Sequence, residues 1–204
     1  MSILVIKSSA NGANSVSNKL VDQLVARLAA TKPGAAVIER DLGTAPVPHV
    51  VNGSLGSIGR APAAEGPDPV RELANALIAE VHAADIIVIG APMYNFGIAS
   101  TLKSWFDHVL RAGETFSYTA EGPKGLVAPK PVVVIETRGG AYTGTAWEKF
   151  DNQEPHLRGM LGFIGLTDVD FVRVEKQGMG PENAEPQIAA AAAWIAGFDL
   201  ARAA

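Results

Sequence analysis

The sequence predicts an α/β domain: a parallel sheet covered by helices on both faces. Three observations carry this reading. Short β-branched-rich runs alternate with helical apolar stripes. All but one of those runs are close to continuously apolar at their centres, as strands buried on both faces are. The chain has 204 residues, 48 % hydrophobic and 19 % charged, enough for one sizeable core.

Residues 3–6 (ILVI), 36–38 (AVI), 86–89 (IIVI), 132–135 (VVVI) and 169–174 (VDFVRV) read as five strands. After the first, Val16, Leu20, Val21, Leu24, Val25 and Leu28 recur at three- and four-residue steps and make one helical stripe. Asp68-Pro69 reads as the N-cap and first turn of a helix carrying Leu73, Leu77, Ile78 and Val81. Leu102, Trp105, Phe106, Val109 and Leu110 mark a third helix, opening near Ser100. Phe150, Leu157 and Leu161 are assigned to a fourth, and residues 188–200 to a closing helix. No repeat interrupts the pattern, so residues 1–204 are expected to form a single domain. Residues 41–66, rich in Pro, Gly and Ser, are expected to be a lid or interface loop inside that domain rather than a linker.

Composition narrows the function. A net charge of −4 leaves no basic footprint for nucleic acid, and no Lys/Arg run suggests a membrane surface. Neither a basic signal-peptide start nor a run of about 20 apolar residues is present, so a cytoplasmic location without a membrane partner is expected. With no cysteine, disulfides, thiolate nucleophiles and iron–sulfur clusters are excluded, and redox chemistry would need a bound organic cofactor. His49, His82, His108 and His156 lack metal-ligand spacing, and no G-x-S-x-G elbow points to a hydrolase.

In doubly wound sheets, ligands sit beyond the carboxyl ends of the strands. The first such loop is Ser8-Ser9-Ala10-Asn11-Gly12-Ala13-Asn14-Ser15-Val16-Ser17, leading into a helix. It lacks the G-x-G-x-x-G of a dinucleotide fold. Ser9, Ser15 and Ser17 instead flank a helix N-terminus, a setting suited to a monophosphate, although Ser15 or Ser17 as a plain helix cap explains them equally well. The loop carries no Lys or Arg, so neutral donors would hold the anion.

The third strand is followed by Pro92-Met93-Tyr94-Asn95-Phe96-Gly97, unusually apolar for a connection. A flat, mostly apolar ligand would account for it, with the alternative that these side chains fold back onto the core. After the fourth strand come Thr137, Arg138, Gly139 and Gly140, whose glycines let backbone approach a ligand. Taken alone, that loop also reads as a Gly-Gly turn with a surface arginine. Together the three loops describe one pocket, with phosphate at the first and a flat ring between the others. That favours the flavodoxin-like strand order 2-1-3-4-5 and a flavin mononucleotide, FMN.

At these residues the chain resembles the FMN-dependent NADH azoreductases, a branch of the flavodoxin-like quinone reductases. The similarity rests on PMYNFGIASTLKSWFDHVLRAGETFSYTAEGPKGL (92–126), on Thr137-Arg138-Gly139-Gly140 and on GMLGFIGLTDV (159–169). It implies a homodimer with one FMN per subunit at the interface. Ser9, Ser15, Val16 and Ser17 would bind the phosphate. Pro92, Met93, Tyr94, Asn95 and Phe96 would flank the isoalloxazine, and Thr137, Arg138, Gly139 and Gly140 would meet its pyrimidine side. Tyr118 and Phe163 of the partner subunit would wall the substrate side, although core packing is the plainer reading of Phe163. Two departures stand out: Val16 where relatives often carry a polar residue, and Ala99 where a proline is frequent.

The resemblance further implies that NADH or NADPH reduces the flavin, which then passes two electrons to an azo compound or a quinone in a ping-pong cycle. No side chain need serve as acid or base. A flavodoxin-type electron carrier is the alternative, but a charge of −4 is weak for an acidic docking face. A cofactor-free domain of the same fold is a third reading.

Overall fold

Alternation along the central strands divides the core into two layers. In the computed structural model, which describes residues 1–62 and 65–203, Ile3 and Val5 of β1 (Ser2–Lys7) face one side and Leu4 and Ile6 the other. The same split recurs in β3 (Ile86–Tyr94) and β7 (Val132–Thr137), where Ile86, Val88, Val133 and Ile135 share a layer with Ile3. Helices α1 (Val16–Thr31) and α5 (Pro181–Gly197) cover that layer through Leu20, Leu24 and Ile195. Helices α2 (Pro69–Ala83), α3 (Ser100–Val109) and α4 (Glu154–Phe163) supply Leu77, Trp105, Phe106 and Leu157 to the other.

The sheet runs β2-β1-β3-β7-β8, with β2 at Ala36–Asp41 and β8 at Val169–Val174, and all these pairings are parallel. Counting only these five strands, this is the expected order 2-1-3-4-5. Asp68 caps α2 by accepting the Arg71 N–H at 3.0 Å, with Pro69 in the first turn.

The structure differs from the expected elements in four places. The third strand extends to Tyr94 and turns back antiparallel through β4 (Gly97–Ile98). A second hairpin, β5 (Phe116–Thr119, FSYT) with β6 (Gly122–Gly125, GPKG), was not expected, because each strand is only four residues long and β6 carries no apolar alternation to pair with Phe116 and Tyr118. Phe150 does not belong to the fourth helix. It lies in a 3-10 turn, Glu148–Phe150, half-exposed, and Pro155 sets the helix start at Glu154. The spacing of Phe150 from Leu157 and Leu161 mimics a helical face across that break. The closing helix opens earlier than expected, at Pro181, and ends at Gly197.

Residues 41–66 are held to the body at Leu42, Val47, Ser54, Ser57 and Ile58, which are buried, residues 63 and 64 lying outside those described. Ser104 Oγ donates to the Pro48 carbonyl at 2.8 Å, His108 Nε2 lies 2.9 Å from the same oxygen, and Arg71 donates to the Gly56 carbonyl at 2.9 Å. Gly43 is there for contact. A Cβ on it would sit 2.1 Å from the Ser9 carbonyl, so only glycine lets this segment close against the first loop.

Candidate functional site

The loop after β1 leaves the sheet through Ser8, whose hydroxyl donates to the Gly90 carbonyl at 2.8 Å. A 3-10 turn, Gly12–Asn14, then delivers Ser15 to the N-cap of α1. Ser15 Oγ accepts the Asn18 N–H at 3.1 Å and lies 3.1 Å from Ser17 Oγ. Ser15 is therefore a helix cap. Capping does not exhaust the helix end. An α-helix begins with N–H groups that have no intrahelical acceptor, and Ser15 takes only that of Asn18. That of Val16, which faces the cavity, remains for an anion, helped by the helix dipole.

The loop after β3 is a two-residue turn. Tyr94 pairs with Gly97, leaving Asn95 and Phe96 between the strands at φ 47° and 73°. Positive φ at both central residues is what a type I′ turn requires. Asparagine suits the first position, whereas a phenylalanine in the second, where glycine is usual, is strained. The Asn152 N–H holds it by donating to the Phe96 carbonyl at 2.9 Å, and the ring packs on Phe150 with centroids 5.7 Å apart. Strain of this kind concentrates at ligand sites.

The loop after β7 corrects the reading of Arg138 as a surface residue. Arg138 is 2 % exposed. Its guanidinium pairs with Glu136 at 2.8 Å, Asp151 at 2.9 Å and Glu175 at 3.2 Å. Burial drives the Glu136 carboxyl up to about 8, more than Arg138 lowers it. Glu154 closes the cluster. Burial raises its carboxyl, but hydrogen bonds from Arg173 and Arg158 outweigh that and hold it below the usual range. The Gly139 and Gly140 carbonyls accept N–H bonds from Gly178 and Lys176, both at 2.9 Å, and a Cβ on Gly139 would meet only open space.

The three loops line an open cavity of about 380 Å³, within the range of small-molecule sites. Ser9, Ser15 and Val16 line it from the first loop, Pro92, Met93 and Tyr94 from the second, and Thr137, Arg138 and Gly139 from the third. Of the other expected residues, Ser17 is fully buried behind Ser15. Asn95 lies across Tyr94, in a neighbouring hollow with Ser100 and Thr101. Phe96 and Gly140 do not line the cavity either. Ala10, Asn11 and Gln177 do, and had not been expected. Gln177 comes from the β8–α5 connection, where no motif marks it. Tyr118 and Phe163 lie away from the cavity within one chain, both packed on Phe116 at 5.5 and 4.4 Å between centroids.

The donor set fits FMN. Serine hydroxyls and a helix N-terminus suit a monophosphate, and the unobstructed Gly139, in the same lining as Met93 and Tyr94, suits a flat ring. Among the described residues no cluster of His, Asp or Glu could hold a metal ion, and no helix is long and apolar enough to cross a membrane.

A family model described as flavodoxin-like fold matches residues 1–197. An FMN-dependent NADH:quinone oxidoreductase of Hyphomonas neptunium is 46 % identical over 194 residues, covering 95 % of this chain and 93 % of the relative. One from Alcanivorax borkumensis is 48 % identical, covering 94 % and 96 %. The crystal structure of an azoreductase from Bacillus anthracis superposes with a TM-score of 0.87 at 28 % identity, covering 97 % of both chains. This chain belongs to the family of flavodoxin-like fold that contains the FMN-dependent NADH:quinone oxidoreductases and the azoreductases.

Proposed function

We propose that this protein is an FMN-dependent oxidoreductase that takes a hydride from NADH and returns two electrons to a quinone, with azo compounds as further acceptors. The observation that carries the proposal is the convergence of three loops on one cavity, lined by serine hydroxyls at a helix N-terminus and by Pro92, Met93, Tyr94 and Gly139. The relatives' names support NADH as donor and quinones as acceptors. Bound FMN supplies the hydride-accepting, two-electron chemistry.

The chain's own residues bind and orient. Ser9, Ser15 and the Val16 N–H hold the phosphate, with Ser17 behind Ser15. Pro92, Met93 and Tyr94 form one side of the ring slot, extended by the Asn95-Phe96 turn. Thr137, Arg138 and Gly139 form the pyrimidine side, Arg138 being fixed too firmly by its carboxylates to swing out into solvent. No side chain of the cavity is needed as a proton donor or acceptor.

The functional unit is a homodimer in this proposal, with FMN at the interface and Tyr118 and Phe163 of the partner subunit walling the acceptor side. Tyr118 is 72 % exposed in the single chain, and an apolar hollow lined by Leu110, Met160 and Phe163 is open to the surface. Both suit coverage by a second copy. Anaerobic mixing of FMN-loaded protein with NADH or NADPH, then with a quinone and an azo dye, tests the chemistry. Bleaching of the flavin by NADH and its return on adding quinone is expected, and no bleaching by either nicotinamide refutes it. Light scattering on the loaded protein tests the dimer.

A further inference from the structure

Gln153 is fully buried and touches two of the three loops at their roots. Its Nε2 donates to the Ala91 carbonyl at 2.6 Å, and its Oε1 accepts from Arg138 Nε at 3.0 Å. Ala91 is the residue before Pro92, where the second loop begins, and Arg138 belongs to the third. A carbonyl only accepts and a guanidinium only donates, so the bridge needs a side chain with a donor at one end and an acceptor at the other. The amide of glutamine is such a side chain.

The bridge lies where the sheet stops holding the loops together. The ladder between β3 and β7 ends at Pro92 opposite Thr137, and proline has no N–H to give to it. Past that rung nothing in the ladder fixes the distance between the loops. Gln153 is anchored for the task. Its own N–H donates to Asp151 Oδ1 at 2.9 Å, and Arg138, its partner, is pinned by Glu136, Asp151 and Glu175. The preceding residue, Asn152, fixes the far end of the second loop through the Phe96 carbonyl.

We propose that Gln153 is a positioning residue that sets the separation of the 92–97 and 137–140 loops, and so the fit of the slot to the flavin ring. This rests on the FMN reading above. The bridge acts on the ring and not on the phosphate, which separates it from a general loss of stability.

The test compares FMN with riboflavin, which has the ring and lacks the phosphate. Gln153→Met keeps the volume and removes both hydrogen bonds. At a temperature where the apo variant is folded by circular dichroism, its affinity for both flavins is expected to fall by a similar factor, roughly tenfold or about 1.4 kcal/mol. Competition by inorganic phosphate stays at the wild-type level, and the visible circular dichroism of bound flavin changes. Gln153→Glu gives a second, graded readout. Protonated, its carboxyl can donate to Ala91, and ionised it cannot, so riboflavin affinity should fall with rising pH relative to wild type. Wild-type riboflavin affinity in folded Gln153→Met overturns the proposal. If that variant does not fold, a Gln153→Glu affinity that tracks wild type across pH overturns it instead. Failure of the wild-type protein to bind either flavin would sink the FMN reading itself, a different result from unchanged binding in the variants.

Discussion

Tyr94 reaches from the second loop to the first: its hydroxyl accepts the Ala10 N–H at 2.9 Å. One side chain thus lines the candidate ring slot and holds the end of the phosphate loop. Tyr94→Phe keeps the ring and removes the acceptor. FMN affinity is expected to fall three- to tenfold, about 1 kcal/mol for a partly exposed hydrogen bond, as read by fluorescence titration.

Ser15 has two jobs with separable signatures. As the cap of α1 it contributes about 1 kcal/mol to stability, so Ser15→Ala should lower the urea midpoint of the apo protein with an unchanged m-value. As a phosphate donor it should also weaken FMN much more than riboflavin. Equal weakening of both flavins would remove Ser15 from the phosphate site.

Glu136 gives the protein an unusual pH dependence. Its carboxyl is raised to about 8 in the folded state, so between the ordinary carboxylate range and pH 8 the native state holds a proton that the unfolded chain releases. Its contribution to stability is therefore present at low pH and is lost as pH rises, with no further loss above about 8. Glu154 and Glu175, held below the ordinary range, act in the opposite sense and only in acid. Urea unfolding of wild type and Glu136→Gln from pH 5.5 to 8.5 should show the variant gaining on wild type as pH rises. A constant difference would mean that Glu136 does not titrate there.

Lys130 supplies a control far from the cavity. Burial lowers its ammonium, yet Nζ donates to the Val81 and His82 carbonyls at 2.8 and 3.0 Å, closing the C-terminal end of α2. Lys130→Met leaves those carbonyls unpaired and should cost about 1–3 kcal/mol of stability. FMN affinity of the folded variant should match wild type. A changed affinity would tie α2 to the site.

The sequence by itself determined what depends on neighbours along the chain. Apolar runs and helical stripes specify the alternation of strand and helix, and Asp68-Pro69 and Ser15 announce their helices by local capping chemistry. The aromatic turn at Tyr94-Asn95-Phe96 is legible because bulky apolar residues are out of place in a polar connection.

Tertiary structure decided what depends on residues far apart. Arg138 reads as a surface charge beside two glycines, because Glu175, 37 residues on, becomes its partner only when β7 and β8 pair. Gln153 carries no motif at all, since its partners lie 15 and 62 residues away. Phe150 fits a helical spacing that Pro155 interrupts, and its ring finds Phe96 instead. Periodicity reports which face of an element is apolar. Only the folded sheet, by bringing the ends of β1, β3 and β7 side by side, decides which polar groups meet across it.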